Sequence, residues 1–127
     1  AHVFVEEITI QGVRGALPHF YDGKFKGLKK YHGERYEEVF LAWNNIWLEP
    51  EFKSWDITEL LPEITCPQLI IQGKKDQYGT LKQVNTIAEK TAGHSKIFTP
   101  ENCNHAPHKE NMKDTLAAVI KFLSISN

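Results

Sequence analysis

Cysteine is scarce in this chain of 127 residues: Cys66 and Cys103 are the two present. Two such residues make no disulfide framework, and free thiols in a reducing compartment are the plain reading, which points to the cytoplasm. No apolar run approaches the roughly 20 residues that a membrane-spanning helix needs, and no secretory leader pattern is read at the first residues. An excess of either charge is also missing, since 15 basic against 16 acidic residues leave a formal net charge of −1. A nucleic-acid binder would carry a basic footprint, so no nucleic-acid partner is expected. Internal repeats and low-complexity segments are absent, and neither a cofactor nor a membrane partner is expected. The hydrophobic share, 41%, is that of an ordinary globular protein with one core.

What the chain does carry is concentrated between Cys66 and Glu110. Leu69, Ile70 and Ile71 form a short apolar run between Pro67 and Gly73, which reads as a strand buried on both faces. Asp76 follows shortly after it. Thr80 and Gln83 have capping-box spacing and predict a helix there, with Leu81, Val84, Ile87 and Ala88 as its apolar stripe. A second strand is expected over 96–99, with His105 just beyond its end. A closing helix from about Lys109 aligns Met112, Leu116, Val119, Ile120 and Leu123. The order is strand, acid loop, helix, strand, histidine loop, helix. In open α/β sheets the chemistry collects in loops beyond the carboxyl ends of parallel strands. An Asp and a His delivered by consecutive strand ends suit the orienting acid and the general base of a nucleophilic triad. Taken alone, an Asp just before a helix is more often a cap or turn residue.

Upstream, the alternation from His2 to Val5 reads as a brief strand. A helix from Ile8 to about Tyr21 is weakened by Gly12, Gly15 and Pro18. Lys24, Lys26, Lys29 and Lys30 read as a solvated face. The clearest helix of this half runs from Glu34 to Leu48, with Tyr36, Val39, Phe40, Trp43 and Trp47 on one side. Trp43 and Trp47 are one turn apart. Core packing is the ordinary role of such a stripe, and walling a substrate pocket is the functional alternative. Tyr78, beside Asp76, is a further candidate for lining that pocket. Three segments are thus expected in one partial domain: a strand over 1–7, a helical insertion over 8–64, and strand–helix–strand–helix over 65–127.

The wording IIQGKKDQYG resembles the seventh strand and acid loop of the α/β-hydrolase fold superfamily. CNHAPHKE resembles its catalytic-histidine loop, where a His precedes a small residue, a Pro and an acid. HVFVE is similar, more loosely, to the sixth strand, and the Trp-bearing helices to the lid. The resemblance implies an α/β fold: the C-terminal part of an α/β hydrolase, about three parallel strands with flanking helices, plus a helical lid segment. It implies Asp76 as the triad acid and His105 as the base, in the family's order of nucleophile, acid, His. The implied activity is hydrolysis of a carboxylic ester or related small-molecule acyl substrate.

The family's nucleophile motif, G-x-S-x-G, does not occur in the sequence. Gly93-His94-Ser95 echoes it, but Lys96 and Ile97 follow, and the segment leads into a strand instead of from strand to helix. No Gly-rich oxyanion loop is read either. The expectation is half of a serine hydrolase (a fragment, a split product or a truncated form), inactive alone and completed by an N-terminal half. The alternative class is a catalytically silent α/β interaction or dimerisation module. An orphan strand edge and an uncovered sheet face predict a homodimer or the complementing half as partner. Cys103, His105, His108 and Glu110 lie close in sequence, but C-x-H-x-x-H is not a recognised zinc spacing and Pro107 bends the loop, so no metal is expected.

Overall fold

The computed structural model describes residues 2–125. Its elements run in the order α1 (Glu7–Tyr21), α2 (Lys29–His32), α3 (Tyr36–Leu48), β1 (Gln68–Ile71), α4 (Lys82–Lys90), β2 (Ser95–Phe98), α5 (Pro107–Glu110) and α6 (Met112–Ile125), with 3-10 turns between. Two compact units result: Val5–Trp55, and a second made by residues 2–4 with 56–125.

The first unit is helical. Helix α1 continues through Gly12, Gly15 and Pro18 because Ile10, Val13, Ala16 and Phe20 form a buried stripe. Burying a Val, Ile or Phe side chain is worth roughly 1.5–3 kcal/mol, whereas each glycine costs about 1 kcal/mol and an interior proline about 3 kcal/mol relative to Ala. The stripe therefore wins over local propensity. Phe20 stacks on Phe40 of α3 with ring centroids 4.2 Å apart. Asn44, fully buried, donates its Nδ2–H to the Val13 carbonyl at 2.8 Å and cross-links the two helices. At the end of α3, Trp47 meets Phe52 and Trp55 from beyond the helix in a second aromatic group, in which Phe52 and Trp55 are stacked at 5.6 Å. Trp43 packs on Phe40 instead, so the two tryptophans expected to act together join different groups.

The second unit holds the sheet. Strands β1 and β2 pair in parallel, with Gln68 opposite Ser95 and Ile71 opposite Phe98. Helix α4 is their crossover, and its Val84 and Ile87 pack with Val3, Leu61 and Ile70 as the core. The unit is thus βαβ followed by α5 and α6. Among the described residues no helix is long and apolar enough to cross a membrane.

Two expectations need correction here. Among the described residues the sheet has two strands, not about three. Residue 1 of the strand expected over 1–7 lies outside them, and residues 2–7 make one antiparallel bridge, Phe4 with Asp56, with helix α1 already beginning at Glu7. The physical reason lies in Gln83. Its Oε1 accepts the Val3 N–H at 2.9 Å, and its Nε2–H donates to the Phe4 carbonyl at 3.0 Å. Ile57 N–H meets the Val3 carbonyl at 2.8 Å. A buried backbone must be paired, and a buried glutamine amide takes the place of a neighbouring strand. That glutamine is consequently unavailable as a cap for α4. Thr80 keeps its part, its Oγ1 accepting the Lys82 N–H at 3.1 Å.

Candidate functional site

The chains that leave β1 and β2 continue side by side past the sheet. Gln72 N–H bonds to the Phe98 carbonyl at 3.2 Å, Lys74 N–H to Pro100 at 3.1 Å and Lys75 N–H to Cys103 at 2.9 Å. The loop carrying Asp76 is then drawn back on itself by Gln72. Its buried Nε2 donates to the carbonyls of Gly79 at 2.7 Å and Thr80 at 3.0 Å. Asp76 and His105 are thus delivered to one place by two strand ends that are themselves tied together.

There the ring nitrogen Nδ1 of His105 lies 3.0 Å from Oδ2 of Asp76 and 3.1 Å from Oδ1. Oδ1 also accepts the Tyr78 backbone N–H at 2.9 Å, an Asx turn. Asp76 therefore does what a turn residue does and orients a histidine as well. Burial alone would raise its carboxyl, but the hydrogen bonds from His105 and from the Tyr78 amide outweigh that, and the group is held below its ordinary value. An ionised carboxylate can only accept, so Nδ1 carries the hydrogen and Nε2 remains as the basic position. The Asp76 side chain is 6% exposed and that of His105 50%. The acid is enclosed while the base is open to a reacting group. The Tyr78 ring stands edge-on against the His105 ring, with centroids 4.7 Å apart.

The histidine loop has its own clamp. Glu110 Oε2 accepts the Asn104 backbone N–H at 2.7 Å and its side-chain amide at 2.8 Å, while Oε1 accepts the Ala106 N–H at 3.0 Å. These amides hold the Glu110 carboxyl below its usual range. One carboxylate thus grips the backbone on both sides of His105. Cys103 is fully buried behind it, its thiol pushed up by burial and by the Glu110 and Asp76 carboxylates. Among the described residues no three His, Cys, Asp or Glu side chains converge as a metal-ligand set.

Of the site residues read from sequence, Asp76, His105 and Tyr78 are in mutual contact. Trp43 and Trp47 lie in the helical unit, each engaged with other aromatic rings there. Sequence reasoning missed the supporting roles of Gln72 and Glu110. For Glu110 a signal existed in the acid that closes NCNHAPHKE. For Gln72 there was none, because its partners are backbone carbonyls.

No family model and no curated protein matches the sequence. Solved structures do match the fold. An esterase from Exiguobacterium antarcticum is 20% identical with a TM-score of 0.58, the match covering 96% of this chain and 53% of that one. An alpha/beta hydrolase enzyme from a Medee basin deep-sea metagenome library is 18% identical with a TM-score of 0.61, covering 98% of this chain and 54% of that one. The fold of this chain is therefore that of the α/β hydrolases, in the part that it spans. It spans about half the length of the solved structures it resembles.

Proposed function

We propose that this chain supplies the acid–histidine part of a serine-hydrolase-type active site, acting on a carboxylic ester or a related acyl substrate. The observation that carries the reading is the Asp76–His105 pair, a buried carboxylate on Nδ1 of a half-exposed imidazole at adjacent strand ends. The resemblance of its fold to an esterase and to an alpha/beta hydrolase enzyme supports it.

In this reading a serine from outside the chain loses its Oγ proton to Nε2 of His105 and attacks the substrate carbonyl. Asp76 holds the Nδ1–H and stabilises the imidazolium that forms. The imidazolium then returns the proton to the leaving group, and water repeats the sequence on the acyl-enzyme. The oxyanion donors also lie outside the chain, so the chain alone is inactive.

The test is hydrolysis of p-nitrophenyl acetate by this chain, and by a polypeptide extended upstream or co-expressed to include a G-x-S-x-G turn. Saturable turnover is expected of the completed protein alone, lost in His105→Ala and falling at least a hundredfold in Asp76→Ala, on the order expected for triad members. Turnover indifferent to His105 would overturn the reading.

A second reading, a catalytically silent interaction or dimerisation module, draws on a different observation. Met112, Leu116, Ile120 and Leu123 of α6 are all more than half exposed. A frame with no upstream G-x-S-x-G, together with stable self-association, would favour it.

A further inference from the structure

The Tyr78 backbone carries more of this site than its own side chain suggests. Its N–H holds Asp76 Oδ1 at 2.9 Å, and its ring packs against His105 at 4.7 Å. That N–H belongs to the Gln77–Tyr78 peptide, and any change in the backbone torsions of Tyr78 would disturb the acid and the base together. The Tyr78 carbonyl, in the following Tyr78–Gly79 peptide, is in turn held from a distant part of the chain. Nε2 of His2 lies 2.7 Å from the Tyr78 oxygen, across 76 residues of sequence. A carbonyl oxygen can only accept, so His2 Nε2 carries the hydrogen.

His2 is itself well supported. The peptides that follow it are clamped by the buried Gln83 amide at Val3 and Phe4, and the Val3 carbonyl is bonded by Ile57 N–H. Room for the ring comes from Gly79, where a Cβ would stand 3.0 Å from His2 Nε2 and 3.2 Å from Gln83 Cγ. A line of contacts therefore runs from Gln83 through the His2–Phe4 segment to the Tyr78 carbonyl, and from the Tyr78 amide to Asp76. The segment that failed to become a strand serves as a brace for the acid loop.

We propose that His2 is a positioning residue of the Asp76–His105 pair, acting through the backbone of Tyr78. Its catalytic meaning rests on the hydrolase reading; its geometric role does not. His2 holds the Tyr78–Gly79 peptide. Through the φ and ψ torsions of Tyr78 it restrains the adjoining amide that donates to Asp76, and so keeps the carboxylate in line with Nδ1 of His105.

The test compares the full chain with His2→Phe, which keeps a ring but has no donor, and His2→Gln, whose Nε2–H replaces the lost one. Amide exchange at Tyr78 and the ¹⁵N shifts of the His105 ring are read by NMR. In His2→Phe the Tyr78 amide should exchange faster, on the order of fivefold, as one supporting hydrogen bond is lost. The His105 shifts should move away from the pure Nδ1–H tautomer. In His2→Gln both should stay near wild type, while Val84 and Ile87 keep their protection in all three. Unchanged Tyr78 and His105 signals in His2→Phe would overturn the proposal, as would a His2→Gln that behaves like His2→Phe. If the phenylalanine does not fold, His2→Ala against His2→Gln makes the same comparison. Neither readout needs turnover, so failure of the hydrolase reading would appear separately, as a completed protein with no esterase activity and an intact His2 effect.

Discussion

Gly73 lies so close to the histidine loop that a Cβ on it would stand 2.0 Å from the Asn104 carbonyl oxygen and 2.2 Å from that of Cys103. Those atoms belong to the backbone, which cannot swing aside as a side chain can. Only a residue without a Cβ lets the strand end that leads to Asp76 meet the loop that leads to His105. The bond from Lys75 N–H to the Cys103 carbonyl, at 2.9 Å, is part of the seam that results.

Gly73→Ala should therefore force the two loops apart. The stability cost expected is that of overpacking, about 1–3 kcal/mol, measured as a lower urea midpoint. The effect should be local as well: the His105 ring signals should change while the amides of α4 keep their protection. An alanine variant as stable as wild type, with an unchanged His105 spectrum, would show that the seam is not tight.

The meeting of Asp76 with His105 was legible in the sequence because each of the two residues follows a short stretch that reads as a strand. Leu69 to Ile71 and then Asp76, Lys96 to Thr99 and then His105, are patterns carried by neighbouring residues. What was not legible depends on distant ones. Gln83 has capping-box spacing, yet a helix N-terminus open to water competes poorly with two backbone groups that burial would leave unpaired. Val3 and Phe4 alternate as a strand should, but a strand also needs a neighbouring backbone, and the sequence does not say which one. Pro18 argued against a helix that the packing of Phe20 on Phe40 completes. The stripe on α6 was read correctly as apolar, but periodicity cannot say what covers it.

Acid should unmask the Asp76–His105 pair as a source of stability. Burial pushes the Asp76 carboxyl up, the hydrogen bonds from His105 and Tyr78 push it down, and the net position is below 3.8. A carboxyl depressed on folding contributes stability that is present in full above its unfolded value and is lost as pH falls through the folded one. Asp76→Asn lacks that titration. Urea midpoints of the two proteins should thus differ most at pH well above 3.8 and converge below it. A gap that widens on acidification would contradict the assignment.

The last expectation concerns α6. Met112 is 63% exposed, Leu116 55%, Ile120 56% and Leu123 57%, and their spacing sets them along one side of the helix. Thr115 is buried, its Oγ1–H donating to the Pro107 carbonyl at 3.1 Å, and Val119 and Phe122 are half-buried on the same helix. Soluble monomers seldom leave a contiguous apolar stripe bare, and the chain spans about half the length of the solved structures it resembles. We therefore expect this face to be covered, by a second copy or by a complementing half. Purified alone at micromolar concentration, the chain should sediment above its monomer mass of 14.6 kDa. Leu116→Lys with Ile120→Lys should return it to the monomer and abolish binding of a hydrophobic dye. Because both side chains are already exposed, the fold should survive, since surface changes of this kind usually shift stability by no more than about 0.5 kcal/mol. A wild-type chain that runs as a clean monomer and binds no dye would refute self-association through this face. Association that persists in the double variant would move the contact elsewhere, with the free edge of β1 as the next place to look.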